Sequence, residues 1–316
     1  MQTILLIGTG TMAIEYTKVL KAMNKEFIVI GRGFKSAELF KKQTEITPET
    51  GGLDVYLKAN KINKNTLAII ATGTETLMSI IHQLINSGIE KILVEKPAAI
   101  SIDELLENEQ YLKPYENSIY VAYNRRFYAS VIEAEKLIIE DGGLQSMHFE
   151  FTEWAHTIEP LKKAEGVKEN WFFANSTHVV DLAFFIAGKP KVLKAFSKPG
   201  KLDWHSKTNF VGAGETEKGV LFSYISNWES AGRWGVELLT ENRRIYLKPM
   251  ENLHVQEKGS VHVIKHEMDI SLDQNFKPGL YKQVEAFINA DNKRLLSIKD
   301  HFTISKKIYS LIIKPN

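Results

Sequence analysis

The pattern of apolar and polar positions changes near residue 120. Up to that point, short apolar runs alternate with amphipathic stretches, which is typical of strands and crossover helices in a parallel sheet. The capping box formed by Ser101 and Glu104 and the stop signal at Gly88 support two of the helices. The predicted strands are residues 3–7, 27–30, 67–71 and 92–94, and the predicted helices are residues 12–23, 76–86 and 102–112. This half predicts a doubly wound α/β domain.

Longer alternating segments follow residue 120 and predict a largely antiparallel open sheet. Gly142 and Gly143 close a helix at 131–140, and further helices are predicted at 178–187, 281–289 and 301–313. The predicted strands are residues 144–154, 192–197, 219–228, 234–240, 243–247 and 261–266. We therefore expect a dinucleotide-binding domain at 1–120 and a substrate-binding and oligomerisation domain at 121–316, whose last helices pack back on the first domain.

Composition narrows the class of protein. With 316 residues, two domains are expected. A net charge of +2 and interspersed charges argue against nucleic acid and anionic membranes as partners, and no segment approaches the roughly 20 apolar residues of a membrane span. The absence of cysteine excludes disulfides, thiolate zinc sites and cysteine nucleophiles. We expect a cytoplasmic protein with a small-molecule substrate.

Two other kinds of site find no support in the sequence. His254, His262 and His266 lack carboxylates at a metal-ligand spacing, so no metal is expected. No nucleophile elbow of a serine hydrolase is present.

A glycine-rich turn, Gly8-Thr9-Gly10-Thr11-Met12-Ala13, follows the first predicted strand and opens the first helix. Gly8 allows a tight turn, Gly10 allows the backbone to approach a pyrophosphate, and Ala13 allows the helix to pack close to the sheet. The helix N-terminus then offers its amides to the phosphates. The turn predicts a Rossmann dinucleotide site, and a purely structural turn is the alternative.

The residue at the end of the second strand bears on the choice of cofactor. An NAD-binding protein usually has Asp or Glu there, to accept hydrogen bonds from the ribose hydroxyls. This chain has Gly31-Arg32-Gly33 instead. An arginine favours a 2′-phosphate, so NADP is expected over NAD. The alternative is that Arg32 only stacks on adenine.

Three further motifs resemble the Gfo/Idh/MocA family, named for glucose-fructose oxidoreductase, inositol dehydrogenase and a rhizopine-catabolism protein. The first runs from Ala71-Thr72-Gly73 to Val94-Glu95-Lys96-Pro97-Ala98, the second is Tyr123-Asn124-Arg125-Arg126-Phe127, and the third is His178-Val179-Val180-Asp181-Leu182. The likeness extends across the chain, in the order and spacing of that family. It looks closest to members from bacterial surface-polysaccharide or sialic-acid-like sugar pathways.

The resemblance implies an NAD(P)-dependent oxidoreductase acting on a CH–OH or C=O group of a sugar, sugar acid or nucleotide sugar. Lys96 would lie near the nicotinamide and stabilise the substrate oxygen, and His178 would be the general acid or base. The proline peptide after Lys96 is often cis in this family. The residues expected at the cofactor are Gly8, Thr9, Gly10, Thr11, Met12, Arg32, Thr72, Gly73, Glu95 and Lys96. The resemblance also suggests a homodimer or homotetramer formed through the C-terminal sheet.

One position departs from the family pattern. Ala174 stands where family dehydrogenases place Asp, four residues before the histidine. This puts the proton relay in doubt. Asp181 is expected to reach His178 or the substrate, or else to be a surface residue of the helix. The residues expected at the substrate are Tyr123, Arg125, Arg126, Trp171, Asn175, Thr177 and Asp181.

Three alternatives to a sugar dehydrogenase stay open. One is a reductase for another carbonyl or imine compound. A second is a non-catalytic NAD(P)-binding sensor, because some relatives of this fold bind the cofactor without catalysis. A third is an NAD-retaining enzyme that drives elimination by transient oxidation.

Overall fold

The computed structural model describes residues 3–63 and 65–315, which contain fourteen strands and thirteen α-helices. The helices are α1 Thr11–Ala22, α2 Phe34–Thr44, α3 Leu53–Ala59, α4 Leu77–Asn86, α5 Ile102–Glu107, α6 Glu109–Leu112, α7 Ala129–Glu140, α8 Ala155–Ile158, α9 Thr177–Ala187, α10 Ser271–Asn275, α11 Leu280–Ile288, α12 Ile298–Ile304 and α13 Ser310–Ile313. The strands are β1 Ile4–Ile7, β2 Phe27–Ile30, β3 Leu67–Ile70, β4 Ile92–Val94, β5 Ile119–Val121, β6 Ser146–Glu150, β7 Pro190–Lys198, β8 Asn209–Thr216, β9 Leu221–Asn227, β10 Gly235–Leu239, β11 Arg243–Leu247, β12 His254–Glu257, β13 Ile264–Lys265 and β14 Leu296–Ser297.

Contacts within the chain divide it into two compact units. The first unit comprises Met1–Tyr123 and Gln274–Phe302, and the second comprises Asn124–Asp273 and Thr303–Asn316. In the described residues, none of the helices is long and apolar enough to cross a bilayer.

The first unit contains a six-stranded sheet in the order β2-β1-β3-β4-β5-β14. Five strands are parallel, and β14 pairs antiparallel with β5. Strands β1 and β3 consist of buried apolar residues, as expected for a parallel sheet covered on both faces. The strand order reverses between β1 and β3, and such a reversal opens a crevice at the carboxyl ends of the strands. The predicted Rossmann architecture is confirmed.

The second unit contains an eight-stranded sheet in the order β13-β12-β11-β10-β6-β9-β8-β7. Neighbouring strands are antiparallel except β6 and β9, which are parallel. Helix α9 packs against β6 and β10. The largely antiparallel sheet predicted for this half is therefore confirmed.

The structure corrects several predicted elements. The helix predicted at 102–112 is two helices that meet at Asn108, and the strand predicted at 261–266 shrinks to Ile264–Lys265. The elements that were not predicted are helices α2, α3, α8 and α10 and strands β5, β8, β12 and β14. Strand β8 was missed because it contains Gly212 and Gly214, and glycine is depleted in strands. A side chain would not fit at either position, since a Cβ on Gly214 would come within 1.9 Å of the carbonyl oxygen of Val192 and one on Gly212 within 2.4 Å of the Tyr224 ring.

Candidate functional site

A cleft of about 700 Å³ lies at the carboxyl ends of β1, β2 and β3, within the first unit. The turn after β1 forms its floor, and α1 begins at this turn. The residues predicted to bind a dinucleotide that line this cleft are Gly8, Thr9, Gly10, Thr11, Met12, Arg32, Thr72 and Gly73. The crevice predicted from the strand order is therefore the place where these residues meet.

Two glycines make the turn suitable for a pyrophosphate. Gly8 has φ 124°, and a Cβ there would come within 2.3 Å of the carbonyl oxygen of Ala71, so a side chain would force β1 and β3 apart. An added Cβ at Gly10 would meet no atom of the described residues within 4 Å. The space beside Gly10 therefore lets a ligand approach the backbone. Among the described residues, no side chain caps α1 and no acidic residue lies in its first turn, so the positive end of its dipole faces this space.

Two residues of opposite charge line the end of the cleft beyond β2. Arg32 follows β2, is exposed and lines the cleft. Asp54, in the first turn of α3, lines the same cleft and forms an ion pair of 2.7 Å with Lys58. The sequence patterns did not indicate Asp54, because it lies more than twenty residues beyond β2 rather than at its end.

The segment Glu95–Ala98 forms a tight corner after β4. The peptide between Lys96 and Pro97 is cis, which agrees with the expectation from the resemblance, and the amide of Ala98 donates to the carbonyl of Glu95 at 3.1 Å. The Nε2 of His301 lies 2.9 Å from the carbonyl oxygen of Pro97, so this nitrogen carries the hydrogen and donates it. His301 is fully buried and fixes the corner that presents Lys96. Sequence reasoning missed it, because it lies some 200 residues away in the chain.

Glu95 is held by a tyrosine rather than by a cation alone. The hydroxyl of Tyr16, on the buried face of α1, donates to the Glu95 carboxylate at 2.8 Å. Burial raises the pKa of Glu95, while this hydrogen bond and the charges of Lys96 and Lys277 act in the opposite direction. Burial, together with the charge of Glu95, raises the pKa of Tyr16 well above its usual value, which keeps the phenol a donor. The hydrogen bond between Tyr16 and Glu95 therefore links the Glu95–Ala98 corner to α1, the helix that begins at the floor of the cleft.

The second unit presents His178 in the first turn of α9. A π-helical turn, Phe172–Ser176, precedes this helix, and widened turns of this kind are frequent at functional sites. His178 is 6% exposed, and its ring lies 6.0 Å from the ring of Trp234. The hydroxyl of Thr177 donates to the carbonyl of Phe173 at 2.8 Å. Thr177, expected at the substrate, is thus fully buried and serves the helix backbone.

A buried carboxylate that the sequence patterns did not indicate lies beside this helix start. Glu153 is 1% exposed and accepts hydrogen bonds from the amide of Asn175 at 3.1 Å and the hydroxyl of Ser176 at 2.8 Å. Arg233 forms an ion pair with it at 3.5 Å. Burial raises the pKa of Glu153 above its usual range, and these donors partly offset the rise. Asn175, expected at the substrate, therefore binds a carboxylate of the protein itself.

The two consecutive arginines have different surroundings. Arg126 forms two hydrogen bonds with Asp181, of 2.8 Å from Nε and 2.6 Å from a terminal nitrogen, and both side chains are almost fully buried. This corrects the expectation that Asp181 reaches His178 or stays at the helix surface: its two carboxylate oxygens bind Arg126. Arg125 instead lies over the ring of Trp234, at 4.6 Å.

Two aromatic residues expected at the substrate are also buried. Trp171 is 8% exposed and makes an edge contact with Trp204 at 6.4 Å. Tyr123 is 1% exposed and packs against His301 at 5.7 Å. The described residues contain no group of three or more histidine and carboxylate side chains placed to hold a metal ion.

A family model described as an oxidoreductase family with an NAD-binding Rossmann fold matches residues 2–123. The match covers the glycine-rich turn, the Glu95–Ala98 corner and every strand of the first unit except β14. It confirms the resemblance of these residues to the Gfo/Idh/MocA family and supports the binding of an NAD-type cofactor by this unit. No match was found among curated proteins.

Solved structures resemble the whole chain at low sequence identity. An oxidoreductase from Agrobacterium radiobacter in complex with NAD⁺, L-tartaric acid and magnesium has a TM-score of 0.76 at 14% identity, over 100% of this chain and 97% of that one. A levoglucosan dehydrogenase in complex with NADH and L-sorbose has a TM-score of 0.71 at 18% identity, over 96% and 94%. UDP-N-acetylglucosamine 3-dehydrogenase from Acidithiobacillus ferrooxidans has a TM-score of 0.71 at 12% identity, over 99% and 97%. At these identities the likeness shows a shared fold.

Proposed function

We propose that this chain, whose residues 2–123 match the model of the Gfo/Idh/MocA oxidoreductase family, transfers a hydride between NADP and a carbon that carries a hydroxyl or carbonyl group in a sugar-type substrate. The observation that carries the proposal is the cleft in which Gly8, Gly10 and the start of α1 leave room for a pyrophosphate. Structural neighbours that act on levoglucosan and on UDP-N-acetylglucosamine support the substrate class.

Lys96 is the residue we propose to stabilise the reacting oxygen of the substrate. It follows β4 at the carboxyl edge of the sheet, in the corner that His301 and the Tyr16–Glu95 pair hold in place. A fixed ammonium group can donate to an oxygen as negative charge develops on it, which lowers the barrier to hydride transfer. The nicotinamide, when bound, supplies or accepts the hydride.

His178 is the residue we propose to move the proton. An imidazole can accept a proton when the substrate is oxidised and donate it when the substrate is reduced. The fixed start of α9, where Asn175 and Ser176 are bound to Glu153, holds the imidazole in place. No carboxylate one helical turn before the histidine is needed for this positioning, because Glu153 reaches the same helix start from another element.

The preference for NADP rests on Arg32. Its guanidinium lines the cleft at the end of β2, where an acidic residue would repel a 2′-phosphate. Asp54 lines the same cleft and would favour NAD instead, because a carboxylate can accept hydrogen bonds from the ribose hydroxyls.

Calorimetric titration of cofactor-stripped protein with NADPH and NADH, followed by nicotinamide absorbance with a panel of sugars, sugar acids and nucleotide sugars, tests the proposal. We expect tighter NADPH binding and turnover of at least one compound. Lys96→Ala should lower kcat by on the order of a hundredfold or more while cofactor affinity stays within a few-fold. Lys91→Ala, on the same unit, is the matched control.

Three results would contradict parts of this proposal. Unchanged turnover in Lys96→Ala would remove the role of Lys96. Cofactor binding without turnover of any compound would favour the non-catalytic sensor. If the cofactor stays bound through purification and the products are those of an elimination, the enzyme that retains NAD and oxidises its substrate only transiently would be favoured.

We also propose that the sheet of the second unit forms a homodimer interface. The register of β7, β8 and β9 places Phe196, Val211 and Ile225 in one row across the sheet, and they are 65%, 45% and 47% exposed. An apolar row of this kind is a typical protein–protein contact. Light scattering after size-exclusion chromatography measures the mass directly.

A further inference from the structure

The contrast between Arg125 and Arg126 points to a ligand of definite charge. Arg126 has its carboxylate partner, Asp181, inside the protein. The Nε of Arg125 is buried, yet it meets no hydrogen-bond acceptor in the part of the chain that the structure describes. A buried donor without an acceptor costs free energy, and a guanidinium costs more than a neutral group. Among the described residues, the Nε of Arg125 is therefore a donor that folding has dehydrated without supplying an acceptor.

Aromatic rings hold Arg125 in position. Its guanidinium carbon lies 4.6 Å from the centre of the Trp234 ring and 5.8 Å from that of Tyr128. Stacking on the rings restricts the orientation of the planar guanidinium. Its N–H donors point outward in the guanidinium plane, where they can bind a bidentate acceptor. Burial lowers the pKa of Arg125, which is the signature of an incompletely compensated cation.

The charged groups around Arg125 do not neutralise it. Glu251 and Glu153 act on it from a distance, and Arg233 opposes them. The carboxylate of Glu251 lies 3.5 Å from the hydroxyl of Tyr128, and that of Glu153 accepts from Asn175, Ser176 and Arg233. Both acids thus have nearer partners than Arg125.

Trp234 connects this cation to the proposed proton-transfer residue. The ring of Trp234 lies 6.0 Å from that of His178 and carries Arg125 and Arg233, each at 4.6 Å. An anion bound to Arg125 would therefore sit on the same aromatic platform as the imidazole. Both groups thus contact one ring, so a single small substrate could reach both.

We propose that Arg125 binds a carboxylate or phosphoryl group of the substrate, so that the enzyme acts on an anionic sugar derivative rather than on a neutral sugar. The proposal rests on the function proposed above and adds that the substrate is negatively charged. Arg233 is a second cation at the same platform. A carboxylate and a phosphoryl group share the planar, bidentate recognition by guanidinium, so the experiment has to separate them.

The experiment is calorimetric titration of the full-length chain, saturated with NADPH, with three probes: D-glucose, D-glucuronate and glucose 6-phosphate. We expect at least one anionic probe to bind at least tenfold tighter than glucose. Arg125→Gln should weaken binding of that probe roughly 10- to 100-fold, as expected for loss of a charge-assisted bidentate contact, and should leave glucose unaffected. Tighter binding of glucuronate would identify the substrate as a sugar acid, and tighter binding of glucose 6-phosphate would identify it as a phosphorylated sugar.

Arg244→Gln is the control, because Arg244 lies on the same sheet unit, is about half exposed and already pairs with Glu237. It should leave every affinity unchanged. Arg125→Met keeps much of the packing against Trp234 and is judged by the same criterion if Arg125→Gln does not fold. Equal affinity of the wild type for glucose and both anions, or undiminished anion binding in the Arg125 variants, would overturn the proposal. Failure of NADPH to bind would instead contradict the proposed function, and probe binding can still be measured without the cofactor.

Discussion

Replacing Arg126 by methionine tests whether its ion pair with Asp181 stabilises the second unit. The side chains of Arg126 and Asp181 are 8% and 1% exposed, and the two are joined by hydrogen bonds of 2.6 and 2.8 Å. Methionine keeps much of the apolar stem that packs near Phe185, over whose ring the guanidinium lies at 4.7 Å. The substitution therefore removes chiefly the charge and its donors.

The expected loss follows from the carboxylate that stays behind. An ion pair this deeply buried gains little over two apolar groups, but removing one partner leaves an unpaired buried charge, at a cost of about 3–5 kcal/mol. Arg126→Met should therefore lower the free energy of unfolding of the second unit by about that amount. The double variant Arg126→Met/Asp181→Leu has no charge left to compensate and should recover most of the loss.

Urea unfolding followed by tryptophan fluorescence is a suitable assay, because all five tryptophans lie in the second unit: Trp154, Trp171, Trp204, Trp228 and Trp234. The signal thus reports this unit alone, which avoids combining two transitions into one free energy. NADPH affinity serves as the readout for the first unit and should not change. A loss below about 1 kcal/mol in Arg126→Met, or no recovery in the double variant, would refute the reasoning from burial.

Four further predictions concern the cofactor, the acid at the helix start and the interface. Gly8→Val should abolish NADPH binding, measured by calorimetry, because a Cβ would come within 2.3 Å of the Ala71 carbonyl oxygen; retained affinity would contradict the turn geometry. Arg32→Glu should weaken NADPH binding at least tenfold and NADH binding much less, whereas equal losses would show that Arg32 only stacks on adenine. Burial raises the folded-state pKa of Glu153, so its contribution to stability is present below the unfolded value near 4 and falls as pH rises through the folded value. The stability advantage of wild type over Glu153→Gln, from urea unfolding at several pH values, should accordingly shrink with rising pH, and an advantage that grows would contradict the assignment. Phe196→Glu should lower the mass found by light scattering to that of a monomer, and an unchanged mass would exclude the Phe196 row as the interface.

The first unit was largely predictable, because its signals are local in sequence. The strands at 27–30 and 92–94 have the predicted bounds, and the glycine-rich turn lies where a strand gives way to a helix. A continuous apolar run between turn residues has few alternatives to a buried parallel strand. The cofactor cleft follows from the order of these elements.

Contacts that join distant parts of the chain escaped prediction. In the sequence, Glu153 is an acidic residue next to Trp154 at the end of a predicted strand. No neighbouring residue in the sequence indicates that Ser176 and Arg233 will be its partners. Asp181 has the helical spacing that places it one turn from His178, yet its partner, Arg126, lies 55 residues earlier. Periodicity predicts the face on which a side chain lies, and tertiary packing selects its partner on that face.

The discontinuous first unit imposes an order on synthesis. Strand β14 and His301 belong to Gln274–Phe302, so the sheet and the corner around Lys96 are completed only when these residues have left the ribosome. They follow Tyr123 by roughly 180 residues, which at about 5–20 residues per second is a delay of about 10–35 s. During that interval the nascent nucleotide-binding domain exposes the edge of β5, and an exposed edge can pair with another chain. A factor that shields nascent chains would therefore improve the yield of this protein more than that of one whose nucleotide-binding domain is contiguous.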